Sequence, residues 1–204
     1  SLGITVPAAM GNMAVDNLTL TNGILDVTPL DDYSFQVLEG FSGGSATSYI
    51  NSNVNTLNIT YASPTLIPLG TSTAYLPITF EWNNGADDLS FKVFDGAHPS
   101  TSNPDRTVSH YWEISPSGGG SSGSGSCNYD ATIKFAWPTG NEGVDFSSNI
   151  ASGPVIGHFV SGSSSGWDEF SGTFATGGGQ SSIEIMGYDS CYSPFGAGAR
   201  ANAL

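Results

Sequence analysis

Short segments of alternating apolar and polar residues, separated by turn signals, run through this sequence from end to end. The clearest segment spans residues 74–82, and it places Leu76, Ile78, Phe80 and Trp82 on one face of an extended strand. Glycine, proline and Asn-Gly pairs punctuate the segments. No stretch of ten residues has the 3.6-residue apolar period and the caps of a helix. The pattern therefore predicts an all-β protein.

Turn signals recur every 8–12 residues or so, a spacing that is typical of sandwiches and barrels. We therefore predict an antiparallel β-sandwich, immunoglobulin-like or jelly-roll-like, over residues 71–204. Residues 1–70 contain fewer aromatic side chains and are predicted to form a smaller N-terminal β layer. Within the sandwich, we expect residues 89–94 to return antiparallel to 74–82 as its hairpin partner, and residues 192–197 to form the closing strand.

The charge balance is strongly acidic. The chain contains 18 Asp and Glu residues against 4 Lys and Arg residues, for a net charge of −14. Neutralising phosphate requires Lys and Arg, so the composition argues against a nucleic-acid partner and against adhesion to anionic membranes. No run of 18 apolar residues is present, so we expect no membrane insertion. Such a surface suits a secreted, extracellular protein.

The chain has two cysteines, Cys127 and Cys191. Their wide separation does not suit a zinc site, which usually needs closely spaced pairs. In a secreted chain they predict one disulfide, which would tie the closing strand to an earlier one. Two buried free thiols are the alternative.

Several short motifs resemble a known class of surface protein. In the C-terminal part these are Tyr75-Leu76-Pro77-Ile78-Thr79-Phe80-Glu81-Trp82, Tyr111-Trp112-Glu113-Ile114-Ser115 and Ser193-Pro194-Phe195-Gly196, and in the N-terminal part Asn17-Leu18-Thr19-Leu20-Thr21-Asn22-Gly23. The first group resembles the β region ahead of the sorting domain in Bacteroidetes adhesin-like proteins secreted by the type IX system. The last motif is similar to the repeat-rich part before that region. The resemblance implies export, cleavage from a sorting domain that we expect this chain to lack, and a structural or adhesive role.

No catalytic constellation stands out, and we predict that the protein is not an enzyme. The three histidines, His98, His110 and His158, lie in separate segments and are expected at surface or edge positions. Carboxylates that might serve a glycosidase are scattered, and no pair among them is favoured: Glu81, Asp95, Glu113, Glu142, Asp168 and Glu169. We expect no cofactor. Asp87 and Asp88 form an acidic turn, where bound Ca²⁺ is the alternative to a solvated loop.

The leading functional hypothesis is a self-assembling subunit of an extracellular filament, sheath or matrix, whose partners are copies of itself. Leu2, Ile4 and Val6 form an apolar N-terminal segment that would add as a strand to a neighbour's sheet edge. The alternative is an adhesin or carbohydrate-binding module that recognises extracellular glycans, with or without Ca²⁺. That alternative requires exposed aromatic rings, whereas core packing is the commoner fate of the four tryptophans, Trp82, Trp112, Trp137 and Trp167.

Overall fold

The protein is an all-β structure, as the sequence predicts. The structure, a computed structural model, describes residues 4–5, 13–28, 35–52, 57–60, 65–84, 88–116, 130–160, 166–189, 194–199 and 204. Its helical content is one four-residue helix, α1 (Phe146–Asn149), and three single 3₁₀ turns. None of the helices in these ranges is long and apolar enough to cross a membrane.

Among the described residues, eight strands come from positions 1–70: β1 (Ile4–Thr5), β2 (Met13–Leu20), β3 (Leu25–Asp26), β4 (Phe35–Gly43), β5 (Ile50–Asn51), β6 (Leu57–Thr60), β7 (Thr65–Ile67) and β8 (Leu69–Gly70). Nine follow: β9 (Ile78–Asn84), β10 (Asp88–Asp95), β11 (Thr107–Pro116), β12 (Asp130–Pro138), β13 (Val155–Phe159), β14 (Trp167–Ser171), β15 (Thr173–Gly177), β16 (Gln180–Tyr188) and β17 (Pro194–Gly198).

The N-terminal strands form two parallel stacks, and the chain crosses from one stack to the other at each turn. One stack has the order β1-β3-β5-β8, and the other contains β2, β4 and β6. In the second stack Met13, Phe35 and Leu57 lie in register, each 22 residues after the last. We call the strands β1–β6 and β8 the solenoid, because this winding is that of a parallel β-solenoid. The predicted N-terminal β layer is present, but its parallel pairing was not predicted.

Two packed sheets form the sandwich. The eight-stranded sheet has the order β14-β13-β17-β11-β10-β6-β4-β2, and the five-stranded sheet has the order β15-β16-β12-β9-β7. Strand β6 of the solenoid pairs antiparallel with β10, so the larger sheet continues from the solenoid into the sandwich across residue 70. The boundary placed at residue 70 stays a prediction.

The predicted hairpin between residues 74–82 and 89–94 is wrong. Strand β9 pairs with β12 and β7 in the five-stranded sheet, whereas β10 pairs with β11 and β6 in the eight-stranded sheet. Both strands have one strongly apolar face, and these faces meet across the sandwich, where the rings of Phe80 and Phe91 contact edge to face at 6.1 Å. Each strand thus buries its apolar face against the other sheet rather than pairing edge to edge.

The sandwich interior is rich in aromatic residues. Trp112, Phe135 and Trp137 are fully buried, and the Trp112 ring lies 5.1 Å from that of Phe135. The Trp112 indole N–H donates to the carbonyl of Leu76 at 3.2 Å. Leu76, Ile78 and Phe80 are buried as the alternation predicts. The closing strand, β17, inserts between β11 and β13 in the middle of the larger sheet rather than at its edge.

The outer face of the larger sheet is also covered at one place. Gly157 and Gly196 are cross-strand partners, and the side chain of Leu204 lies over both. A Cβ atom at either position would press on Leu204, and one at Gly157 would come within 2.8 Å of Trp167. The absence of side chains at these two positions therefore makes room for a second, smaller hydrophobic cluster of Val155, Trp167 and Leu204.

Candidate functional site

Strand β2 leaves one long edge of the larger sheet open. It pairs with β4 at seven positions, and on its other side no strand is present among the residues that the structure describes. Strand β1, which precedes it, is likewise the end of the other parallel stack. Unpaired N–H and C=O groups along an edge of this length are a template for strand addition.

The side chains of β2 pack against the core on one face of the strand and do little to protect its edge. Met13, Val15 and Leu18 pack against the main core, and Leu20 is buried. The strand contains no lysine and no proline, two residues that commonly protect an edge. Asp16, which is exposed, is its single charge. The edge is therefore held in place by the core and only weakly protected.

The opposite edge of the same sheet is β14, which is better protected against strand addition than β2. Trp167, on the outer face of this strand, is buried, and its indole N–H donates to the Ser100 carbonyl at 3.2 Å. Two acidic residues follow, Asp168, which is exposed, and Glu169. Among the strands that the structure describes, β2 and β14 are thus the two ends of the larger sheet, and β14 carries the greater charge.

A small open cavity lies beside β2, where β4 bends. Gly40 has a φ of 155° at this bend, and the two strands shift register between Val15 and Asn17. The cavity has a volume of about 320 Å³. Its lining residues come from β2, β4 and the start of β7: Asn17, Glu39, Gly40, Phe41, Ser42, Thr65 and Leu66.

A polar network at the end of β10 includes one of the buried histidines. The Nε2 atom of His110 lies 3.1 Å from Asp95 Oδ1, and Asn141 Nδ2 lies 3.0 Å from His110 Nδ1. The Thr73 hydroxyl donates to the same Asp95 oxygen at 3.1 Å. A neutral ring that donates from Nε2 and accepts at Nδ1 satisfies both contacts. The network links the turn after β8 to the sandwich.

His158, in contrast to His110, is surrounded by aromatic rings. Its side chain is buried between Tyr188 and Phe195, with ring centroids 5.9 and 5.5 Å away, and neither ring nitrogen has a hydrogen-bond partner among the described residues. Burial lowers the pKa of His158, and the charge of Asp168 opposes that shift in part. The prediction that the histidines lie at the surface or at edges is wrong for His110 and His158, because both fill inward positions of central strands.

The candidate carboxylates are engaged separately. Asp95 binds His110, Glu113 lies 4.0 Å from Lys92, and Glu142 accepts from the Trp137 indole at 3.2 Å. Within the described ranges, no three His, Cys, Asp or Glu side chains group in a way that would hold a metal ion.

An exposed tryptophan platform is not present in the described part of the chain. Trp112, Trp137 and Trp167 are all buried. Partly exposed rings on the outer face of the larger sheet include Phe159, Phe94 and Tyr111, the last two stacked 4.4 Å apart, and His98, which contacts Tyr111 and Trp167 edge to face.

Several predicted positions lie outside the described residues. Cys127 and Cys191, the predicted disulfide, are among them, as are Asp87 and two residues of the predicted assembly segment, Leu2 and Val6. Ile4 lies in β1, where it is in parallel register with Leu25. Asp88 begins β10 opposite Thr60. The disulfide and the calcium site therefore stay predictions.

The comparisons with family models, curated proteins and solved structures each return no match. The likeness to type IX-secreted surface proteins therefore stays a prediction that rests on short motifs. The open edge and the cavity carry the functional argument instead.

Sequence reasoning missed both of these features. The signal that would have found them is the 22-residue period, since Met13, Phe35 and Leu57 are equivalent positions of successive turns. The same spacing separates Asn17 from Glu39, which hydrogen-bond at 2.7 Å. A search for internal repeats would have placed these two side chains together.

Proposed function

We propose that this protein is a secreted, extracellular structural subunit that assembles with copies of itself by adding strands to the open edge of β2. The observation that carries the proposal is that edge: eight residues long, backed by the core and without a neighbouring strand in the described part of the chain. Main-chain hydrogen bonds along such an edge supply affinity without requiring a specialised pocket.

The second free edge of the same sheet supports a polymer. If the β2 edge of one copy meets the β14 edge of the next, the contact is heterologous and leaves a free edge at each end. Repetition of this contact extends one continuous sheet through many copies. Pairing of two β2 edges, by contrast, would close as a two-fold dimer.

Charge repulsion should weaken this contact between the β2 and β14 edges. Each copy has a net charge of −14, and Asp16, Asp168 and Glu169 lie on the two edges that would meet. Like charges repel over about 10 Å at 0.1 M salt, so assembly should strengthen as salt screens them. Strand addition driven by main-chain hydrogen bonds and apolar contact survives that screening.

The experiment compares two proline variants of β2, Ala14→Pro and Val15→Pro. Adjacent residues of a strand direct their N–H groups toward opposite edges, so one variant removes a donor to β4 and the other removes a donor on the open edge. The variant that removes the donor to β4 should lower thermal stability. The variant that removes the donor on the open edge should retain stability but lose assembly, as followed by sedimentation velocity and electron microscopy at low and high salt.

Filaments of the native protein that disappear in the stable proline variant are the expected result. A native chain that stays monomeric at all concentrations and salt levels would overturn the proposal. Discrete dimers would contradict the proposal of a polymer but would agree with the β2 edge as the contact between copies.

A further inference from the structure

The cavity at the bend of β4 joins polar and apolar groups in a small space. Its polar lining residues are Asn17, Glu39, Ser42 and Thr65, and its apolar lining residues are Phe41 and Leu66. We propose that this cavity binds a neutral saccharide unit through two neighbouring ring hydroxyls. The proposal is independent of self-assembly, because it concerns side chains of the cavity rather than the main-chain edge of β2.

The polar side offers paired acceptors. Asn17 Nδ2 donates to Glu39 Oε2 at 2.7 Å, which fixes the amide against the carboxylate. Glu39 Oε1 and Asn17 Oδ1 then remain without a protein partner in the described part of the chain. Two adjacent acceptors suit two adjacent hydroxyl donors, and the second N–H of Asn17 can donate to a hydroxyl oxygen in return.

The apolar side suits the C–H face of a sugar ring. Phe41 is partly buried and packs against the main core, so its ring is held by its neighbours. Leu66 is 42% exposed, so its side chain is accessible to a ligand. Phe41 and Leu66 thus supply the apolar part of a lining that is otherwise mainly polar.

The size and rigidity of the cavity agree with a short ligand. A volume of about 320 Å³ lies at the lower end of the range of small-molecule sites, which suits one or two sugar rings. The Thr19 and Ser42 hydroxyls lie 2.8 Å apart and, like the Asn17–Glu39 bond, tie β2 to β4. The polar groups are therefore positioned before a ligand arrives, which reduces the entropic cost of binding.

The charge of the lining disfavours other ligand classes. An anion would meet Glu39 and a protein of net charge −14, with no Lys or Arg in the lining. An ammonium group is the main competitor, because one carboxylate is present. Glu39 is exposed, however, and exposed ion pairs contribute little. Neighbouring hydroxyls use both free acceptors at once and can also accept from the Asn17 amide, which an ammonium group cannot do.

The test is saturation-transfer NMR, which detects a bound small molecule whether the protein is monomeric or assembled. The probes are glucose, galactose, mannose, N-acetylglucosamine and their methyl glycosides, with choline and lysine as ammonium probes. The variants are Glu39→Gln and Asn17→Ala, both at exposed positions, and the matched control is Glu113→Gln, a carboxylate on β11 outside the cavity.

We expect at least one saccharide to bind with millimolar affinity and each cavity variant to weaken that binding by about tenfold, since each removes one of the paired hydrogen bonds. The control variant should bind as the native protein does. Leu66→Ser, which trims the apolar wall, should weaken binding by about threefold. Circular dichroism of each variant confirms that its fold is retained.

Three results would overturn the proposal. The first is that no saccharide of the panel shows saturation transfer. The second is that binding is unchanged in Glu39→Gln and Asn17→Ala, which would place the sugar elsewhere on the protein. The third is that choline or lysine binds while the sugars do not, and that Glu39→Gln removes this binding, which would make the cavity a cation site.

Discussion

The solenoid and the sandwich bury their strands in different ways. In the solenoid each strand pairs in parallel with the strand one turn later, so the stack is covered at one end by β10 and open at the other along β2. In the sandwich, two antiparallel sheets cover each other, and even the last strand, β17, lies inside a sheet. Stability should therefore concentrate in the sandwich, while the open end of the solenoid remains free for contacts.

Core truncation in the two regions should give the largest contrast. Trp112→Ala removes a fully buried indole and its hydrogen bond to the Leu76 carbonyl, and we expect a loss of about 3–5 kcal/mol in the free energy of unfolding. Val15→Ala, on the half-buried face of β2, should cost about 1 kcal/mol. Urea denaturation measures both, with Trp112→Phe as the milder variant in case the alanine variant does not fold. Equal losses of unfolding free energy at Trp112 and Val15 would contradict the idea that stability is concentrated in the sandwich.

A turn glycine can show whether the two regions unfold together. Gly43 has a φ of 79°, and a Cβ there would collide with the Leu20 carbonyl oxygen, so Gly43→Ala should cost about 2 kcal/mol or more. Gly140→Ala is the control, since a Cβ at Gly140 meets no atom within 4 Å. Hydrogen exchange measures where the loss appears. Faster exchange confined to residues 13–52 would mean that the solenoid opens by itself, and a uniform increase would mean that the chain unfolds as one unit.

The two buried histidines should respond in opposite directions to the same substitution. His158→Phe removes two unpaired nitrogens from an aromatic environment and should stabilise by about 1 kcal/mol. His110→Phe removes the contacts that the ring makes with Asp95 and Asn141 and should destabilise by about 1–2 kcal/mol. Thermal unfolding at pH 7.5 measures both. A stabilising effect at His110 would show that the polar network contributes nothing to holding the turn after β8 against the sandwich.

The pH dependence follows from the same side chains. Burial lowers the pKa of His98, His110 and His158 below the value of 6.5 for an unfolded chain. Since the unfolded state then binds more protons, stability should be complete above pH 6.5 and fall as the pH drops below it. His158→Phe should make this decline shallower. Melting temperatures between pH 7.5 and 5 that do not change, or that rise with acidity, would contradict the lowered pKa values.

Local alternation was enough to predict the sandwich but not its pairing. The period of two placed Leu76, Ile78 and Phe80 in the core. It could not distinguish a hairpin from two strands facing across the core, because β9 and β10 have the same pattern in either case. Predicting the parallel pairing requires the 22-residue period. That period is hard to recognise in the sequence, because equivalent side chains of successive turns are only loosely alike. The burial of His110 and His158 depends on neighbouring strands and is not encoded locally.

The smallest expected effect is that of the exposed ion pair on the outer face of the sandwich. Lys92 Nζ lies 4.0 Å from Glu113 Oε1, and the two side chains are 26% and 31% exposed, so water screens their attraction. Across the double-mutant cycle of Lys92→Met and Glu113→Gln, the coupling free energy should be no more than about 0.5 kcal/mol and should decline with salt. A larger coupling would mean that the outer face is drier than its exposure indicates. The sandwich would then draw stability from its surface as well as its core, and the contrast with the solenoid would depend on more than the burial of apolar side chains.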